Sequence, residues 1–384
     1  MKTKLAFCVL AVTMISENPG TIAAQASPSG RSLRAPRGRS PMGETFARGV
    51  AYAHDWSMRG RQGYGTAADR ATLTQVRTSG ANWISVMPYA VLPHAQATTF
   101  VGGWAMPGGE RDALLERTIR DAHQRGLRVM LKPHVWVPRS WPGELGRTGP
   151  IAVQQAIAWR AVVEHYADLA ARTHCEAFAM GTEMDGIAAN AQSEFRAMIA
   201  AVRARYTGTL TYCANWNSYH RVAFWDALDV MSIQDYAPRA QGAVTAEALD
   251  ALEAQTSRVL SEYARAASAA SKPLWLTEVG FRCDSDALAH PWRWPQREDR
   301  CADCGVQSRA LEATLRVAAR TPGIRGVFLW KWFSSGGSED EGACGFALNA
   351  PETQQTIAQW FGGRVTPTPP TPATLSPPSL ARDF

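Results

Sequence analysis

Residues 176–184 read EAFAMGTEM, a largely apolar run of strand length whose next-to-last residue is a carboxylate, Glu183. Such runs, too short for a helix and rich in β-branched, aromatic or small apolar residues, read as buried strands. Seven more share the pattern: RGVAYAH (48–54), NWISVMPY (82–89), RVMLKPHV (128–135), TLTYCANW (209–216), LDVMSIQDY (228–236), PLWLTEVGF (273–281) and RGVFLWKWF (325–333). Helical patterning fills most of the gaps, as in 110–126, which closes at Gly126, in 151–173 and in the Ala-rich stretch 245–270. Between the fifth and sixth runs there is room only for a brief helix near 219–227. Eight strand-then-helix units without a sequence repeat predict an α/β fold, a single (β/α)8 barrel. The alternative is an open doubly wound sheet. That fold normally carries a Gly-rich phosphate loop after its first strand, and GVAYAHDWS (49–57) has none.

The barrel accounts for residues 47–362 of a 384-residue chain. With 46% hydrophobic and 19% charged residues, the bulk of the chain is excluded from intrinsic disorder. Lys2 and Lys4 precede the apolar run Leu5–Ile15, and Ala24-Gln25-Ala26 supplies small residues at a cleavage point, so residues 1–26 read as a secretory signal peptide. The apolar run is too short to span a bilayer, which takes roughly 20 residues. Lipidation at Cys8 is disfavoured by the large Phe7 before it. Residues 27–46, rich in Ser, Pro, Gly and Arg, read as a disordered basic linker, and residues 363–384 as a Pro/Thr-rich disordered tail. The net charge of +6 sits at these ends: residues 1–26 contribute +1, 27–48 +4 and 363–384 +1, so 49–362 is neutral. A neutral body lacks the electrostatic footprint of a nucleic-acid binder. The expected product is secreted or periplasmic, without a membrane span, and monomeric.

Six cysteines remain after the leader: Cys175, Cys213, Cys283, Cys301, Cys304 and Cys344. An even count in an exported chain favours disulfides, although six cysteines allow 15 pairings. The four later cysteines are expected to pair among themselves and brace loops, with Cys175 and Cys213 either paired or buried as free thiols. Cys301 and Cys304 form a CxxC that, with Cys283, Cys344 or His290, offers zinc as the alternative. No second CxxC supports it, so no metal or other cofactor is expected.

In a (β/α)8 barrel the chemistry sits at the C-terminal ends of the strands. Those ends carry His54, Asp55, Trp56, Tyr89, Lys132, His134, Trp136, Glu183, Asp185, Asn215, Trp216, Asp235, Tyr236, Glu278, Trp330 and Trp332. Glu183 and Glu278 each follow an apolar run, where an unpaired charge is costly. They close the fourth and seventh strands, roughly opposite positions on a rim that suit a pair flanking one bond. Glycoside hydrolysis uses such a pair, one acid to protonate the leaving oxygen and one carboxylate to attack or to activate water. The bland reading of either glutamate is a salt-bridged rim residue.

GTE (181–183) and TEVGF (277–281) resemble the acid/base and nucleophile motifs of the clan A retaining glycoside hydrolases, and family 113 in particular, known for endo-β-1,4-mannanase activity. The resemblance runs over about residues 47–362 through strand order and motif placement. It implies Glu183 as general acid/base, Glu278 as nucleophile, Tyr236 as the tyrosine that hydrogen-bonds the nucleophile, and Trp330 as the aromatic floor beneath the reacting sugar. It implies retention, with carboxyl groups about 5–5.5 Å apart, and a Glu183 that is protonated in the free enzyme. One departure stands out. The wider clan usually places Asn before the acid/base to hydrogen-bond the sugar 2-hydroxyl, and this chain has Thr182. A shorter side chain there is compatible with mannose, whose 2-hydroxyl is axial.

Of the 14 tryptophans, Trp83, Trp159, Trp225, Trp275 and Trp360 fall within predicted elements and read as core. Trp56, Trp136, Trp141, Trp216, Trp292, Trp294, Trp330 and Trp332 lie at or beyond strand ends, where flat faces can stack on pyranose rings. Asn215, Lys132 and His134 are expected to meet sugar hydroxyls or to be satisfied interior residues. The long segment 282–304 after the seventh strand is expected to wall the cleft or to be a stapled surface excursion. HExxH, Walker, GxSxG and EF-hand patterns are absent from the sequence, so the corresponding classes lack their usual signals. The sequence therefore predicts a retaining glycosidase acting on a β-linked polysaccharide, with β-1,4-mannan favoured. The rivals are another β-glycan or envelope amino-sugar polymer as substrate, or a catalytically silent barrel that binds carbohydrate.

Overall fold

The structure, a computed structural model, describes residues 40–54, 63–106, 110–242, 245–295, 304–337, 341 and 344–365. The leader, most of the basic linker, the tail beyond residue 365, Trp56 and Cys301 lie outside the described residues.

Eight parallel strands close into a barrel: β1 (Ala47–Ala53), β2 (Trp83–Val86), β3 (Arg128–Leu131), β4 (Ala177–Thr182), β5 (Thr209–Asn215), β6 (Met231–Asp235), β7 (Leu274–Val279) and β8 (Ile324–Phe333). The order around the barrel is β1-β8-β7-β6-β5-β4-β3-β2, and β1 pairs with β2 to complete it. Consecutive parallel strands need a crossover. It is supplied by α1 (Ala67–Thr78), α2 (Asp112–Gln124), α3 (Gly149–Arg172), α4 (Asp185–Asn190) with α5 (Gln192–Arg203), α6 (Ala246–Asp250) with α7 (Leu252–Ala269), and α8 (Gly305–Arg320), while α9 (Pro351–Phe361) follows β8. Between β5 and β6 there are only two short 3₁₀ turns, Tyr219–Arg221 and Trp225–Ala227. The open-sheet alternative is thereby excluded.

Local chemistry explains the elements. The Thr66 side chain caps α1 by accepting the Asp69 N–H at 3.2 Å. Along α3, Ala152, Ala156, Trp159, Val163, Tyr166, Ala167 and Ala170 recur at helical spacing and are buried against the sheet. Each large apolar side chain so buried contributes roughly 1.5–3 kcal/mol. Trp159 meets its remaining polar demand by donating its indole N–H to the Met180 carbonyl at 2.9 Å.

Two runs read as single strands are each broken in two. NWISVMPY splits into β2 and Tyr89–Val91, and RVMLKPHV splits into β3 and His134–Trp136. The breaks fall at Pro88 and Pro133, which have no N–H to give a ladder. The pieces beyond the prolines leave the barrel and pair with each other, Tyr89 opposite His134. Val101–Gly102 adds an antiparallel third strand to this small sheet.

The segment read as linker is also shorter than the sequence suggests. Met42 and Phe46 are buried in the main core, and Ser40 donates its hydroxyl to the Trp360 carbonyl at 2.7 Å. Their apolar side chains tie this stretch to the barrel.

Trp83, Trp275 and Phe328 fill the N-terminal end of the barrel, their rings packed edge-on or tilted at 5.3–6.1 Å between centroids. Two glycines make room for them. A Cβ at Gly49 would lie 2.2 Å from the Phe328 ring, and one at Gly326 would lie 2.8 Å from Ala47 Cβ and 2.9 Å from the Trp275 indole. Among the described residues, no helix is long and apolar enough to cross a membrane.

Candidate active site

The opposite end of the barrel opens into a cleft of about 950 Å³. Glu183 and Glu278 both line it, as do His134, Asn215, Trp216, Tyr236 and Trp330. The sequence-predicted cluster, Trp56 and Lys132 apart, therefore converges on one cavity.

Glu278 is the next-to-last residue of β7 and is buried, 3% exposed. Its Oε2 accepts the Tyr236 hydroxyl at 2.7 Å, and its Oε1 pairs with the Lys132 ammonium. His134 Nε2 stands 3.6 Å from the same Oε1. Burial, with the Lys132 and Lys331 charges, holds the His134 imidazole well below its usual range, so it is neutral at physiological pH.

Glu183 follows β4 directly and sits in the left-handed region at φ 52°. For a side chain larger than Asn or Asp this costs of order 1–3 kcal/mol. Its N–H donates to the Cys213 carbonyl at 2.8 Å, which holds the residue in place. Trp141 donates its indole N–H to Glu183 Oε2 at 2.9 Å. Burial, and secondly the charge of Glu278, push the Glu183 carboxyl up to about 7. The environments of the two carboxylates thus differ in kind. One has a buried cation and a phenol at its oxygens, whereas the other is held in a proton-favouring site.

Three expectations need correction. Lys132, read as a ligand for sugar hydroxyls or a satisfied interior residue, is the latter and does not line the cleft. It is fully buried beneath it, and its ammonium donates to Glu278 Oε1, to Gln234 Oε1 at 2.9 Å and to the Thr277 carbonyl at 3.3 Å. Three acceptors are what a buried –NH3⁺ requires. Thr182 is buried and donates its hydroxyl to the Pro133 carbonyl at 3.1 Å, so it is not among the residues that face a sugar. Trp332, grouped with the rim aromatics, is packed in the core away from the cleft, beside Gln75, Ser79 and Gln354. The β1–β8 register shifts between Val50 and Tyr52, opposite Leu329 and Trp332. Such an irregularity breaks the two-residue alternation that would have aimed Trp330 and Trp332 the same way.

The aromatic wall otherwise assembles. Trp136, Trp141, Trp216, Trp292, Trp294 and Trp330 all line the cleft, and Trp292 stacks on Trp216 at 5.6 Å. Trp136, Trp292 and Trp294 are about half exposed, which leaves their faces open. Trp83, Trp159, Trp225 and Trp275 are buried as expected, and Trp360 packs against the core.

The loop after β7 is both stapled and part of the wall. A disulfide joins Cys283 to Cys304, and fully buried Arg282 pairs with Asp284 and Asp286. Arg293 reaches the same two aspartates at 3.1 and 3.4 Å. That network presents Trp292, Arg293 and Trp294 to the cavity. Cys344 is also in a disulfide, and Cys175 and Cys213 are buried free thiols. Cys283, Cys304 and Cys344 thus stand as disulfide sulfurs, in line with the expected bracing of loops. Among the described residues, no group of His, Cys, Asp and Glu could hold a metal ion.

Sequence reasoning missed Gln234, which lines the cleft and touches Lys132. A usable signal exists: Gln234 is two residues before Tyr236, so a strand places both on one face. Phe346 and Arg293 also line the cleft, and their approach comes from loops whose course no periodicity reveals.

Residues 53–345 match the family described as Glycoside Hydrolase Family 113. Among solved structures, a GH113 β-mannanase from Alicyclobacillus acidocaldarius in complex with ManMIm is 26% identical, with a TM-score of 0.69 over 84% of this chain and 99% of that one. A GH113 β-1,4-mannanase solved as a complex is 22% identical, with a TM-score of 0.71 over 84% of this chain and all of that one. The fold extends further, to a Ruminococcus gnavus β-glucuronidase at 13% identity and a TM-score of 0.56, covering 82% of this chain and half of that one. No curated protein matches the sequence. With the family covering well over half the chain and the barrel shared end to end, this protein belongs to glycoside hydrolase family 113.

Proposed function

We propose that the protein cleaves β-1,4-mannan with retention of anomeric configuration, by a two-glutamate double displacement. The observation that carries this reading is the asymmetry of Glu183 and Glu278 within one aromatic-walled cleft. Glu278 is the nucleophile: the Lys132 ammonium and the Tyr236 hydroxyl hold its two oxygens in place. Glu183, pushed up to about 7 by burial and by the Glu278 charge, keeps a proton to give at neutral pH.

In the first step a Glu278 oxygen bonds to the anomeric carbon while the glycosidic bond breaks and the leaving oxygen takes the Glu183 proton. In the second, Glu183, now a carboxylate, takes a proton from water, which attacks the same carbon and releases Glu278. Trp330 lies beneath the reacting sugar, and neutral His134 and Asn215 meet its hydroxyls. Mannan is favoured as substrate by the family match and by the mannanase structures that share the barrel. Export is part of the same proposal, supported by the leader-like residues 1–26 and by the disulfides, which persist in oxidising compartments.

The test is product release from soluble β-mannan, glucomannan, β-glucan, xylan and chitosan, with E278Q and E183Q as controls and NMR of the first-formed anomer. Mannan cleavage that yields the β-anomer and disappears in E278Q is expected. Activity confined to another polymer would discard mannan and keep the glutamates. Undiminished cleavage by either variant would end the assignment.

A further inference from the structure

The two steps proposed above pass a single negative charge back and forth. Before glycosylation Glu278 is ionised and Glu183 protonated; afterwards Glu278 is a neutral ester and Glu183 carries the charge. A buried cation that served Glu278 alone would be left uncompensated in the intermediate, a costly state in a low-dielectric interior.

Lys132 does not serve Glu278 alone. Its ammonium also donates to Gln234 Oε1 at 2.9 Å. A lysine can only donate, so this contact settles which end of the amide faces it, and the Nε2 donor points away. That Nε2 is buried and has no hydrogen-bond partner among the described residues, while Gln234 lines the cleft and its amide favours the ionised form of Glu183.

From this arrangement we propose that Lys132 and Gln234 are positioning residues that form a charge-sharing link between the two carboxylates: the ammonium holds the Glu278 carboxylate directly, and, once that charge has moved, acts on the Glu183 carboxylate through the oriented Gln234 amide. The link rests on the glycosidase reading of the site. The other charged and titratable groups around it are accounted for. Tyr236 and neutral His134 face Glu278. Trp141 and Asp185 act on Glu183. Tyr89 and Cys213 sense both glutamates but are themselves neutral, their protons held by burial. Lys331 is engaged by Glu341. Lys132 is thus the cation bonded to both Glu278 and the amide beside Glu183.

The experiment is a set of pH profiles of kcat/KM on soluble β-mannan for the wild type, Q234L and K132M, with E183Q and E278Q as references and thermal unfolding as the folding control. In Q234L the basic limb, which reports Glu183, should move up by about one unit, because a donor to the ionised form is gone, while the acid limb stays. In K132M the basic limb should move up as well, because the cation behind the Gln234 amide is gone, and kcat should fall at least about tenfold. A Q234L enzyme with raised KM and an unmoved basic limb would overturn the link and assign the amide to the sugar. So would a folded K132M with the wild-type basic limb. If K132M does not fold, Q234L alone decides. Should E183Q or E278Q cleave mannan normally, the proposed function itself has failed; should both be inactive while Q234L shifts nothing, only this link has failed.

Discussion

At the N-terminal end of the barrel Trp83, Trp275 and Phe328 close the lumen ring against ring, whereas at the C-terminal end the same barrel buries Lys132, Gln234 and Glu278 beneath an open cleft. The strands do not differ in kind between the two ends; what they bury does. Apolar rings gain stability in proportion to the area they remove from water, and glycines at 49 and 326 exist to let them close. Buried charges gain little net stability and are tolerated only as complete sets, since loss of one partner strands the other. Stability should therefore be concentrated at one end and activity at the other, and substitutions can be chosen to separate them.

The largest effect expected is at Glu278. E278Q keeps the shape and an amide oxygen for Lys132 but removes the attacking carboxylate, so kcat/KM on mannan should fall by about 10⁴-fold or more, some 5.5 kcal/mol of transition-state stabilisation. Steady-state kinetics and a thermal melt read the two consequences together. A melting temperature that collapsed with the activity would show the functional end to be structural as well.

W275A probes the other end. Emptying the space of a buried tryptophan costs about 3–5 kcal/mol, measurable by urea unfolding, whereas kcat/KM of the protein that remains folded should change less than about twofold. A tenfold kinetic defect in the folded fraction would mean that the two ends are coupled along the strands.

A smaller effect is expected at Trp141, whose indole N–H is bonded to Glu183 Oε2. The bond favours the ionised carboxylate, so W141F should raise the Glu183 pKa above about 7 and carry the basic limb of kcat/KM upward, by about one unit for a charge-assisted bond partly open to water. Movement in the opposite direction would mean that the indole bonds the protonated acid instead.

The two ends were also unequally legible in the sequence. The barrel could be read because parallel strands buried on both faces leave continuous apolar runs, and EAFAMGTEM and PLWLTEVGF each end where the chain reaches the rim. Glu183, Glu278, Tyr236 and Trp330 converge as the strand-end argument expects, since that argument needs only chain direction. It fails where direction is not enough. Pro88 and Pro133 divert Tyr89 and His134 into a small sheet of their own, and a register shift turns Trp332 outward. Lys132 was placed at the correct strand end, but whether a terminal side chain faces solvent or a buried carboxylate depends on a partner 146 residues away. No local pattern encodes that pairing.

Glu110 sharpens the comparison, because it belongs to neither end. It is fully buried beside the small sheet, where its Oε2 accepts the Tyr89 N–H at 3.0 Å and its Oε1 has no hydrogen-bond partner among the described residues. Glu278 is buried as deeply but has Lys132. Among the described residues Glu110 has no such cation in an ion pair, and burial pushes its carboxyl up to about 8. The folded protein therefore retains a proton there that the unfolded chain, with an ordinary glutamate near 4.3, gives up. Between those values the native state binds more protons than the unfolded state, so stability must fall as pH rises, by up to about 1.4 kcal/mol for each pH unit. E110Q removes the titration while keeping a neutral carbonyl at the same place. Unfolding free energies of the two proteins at pH 5, 6 and 7 should then diverge steadily in favour of the variant, while titrations common to both cancel. A difference that did not change with pH would mean that Glu110 ionises within the fold, and that a charge need not have a partner like Lys132 to survive burial in this barrel.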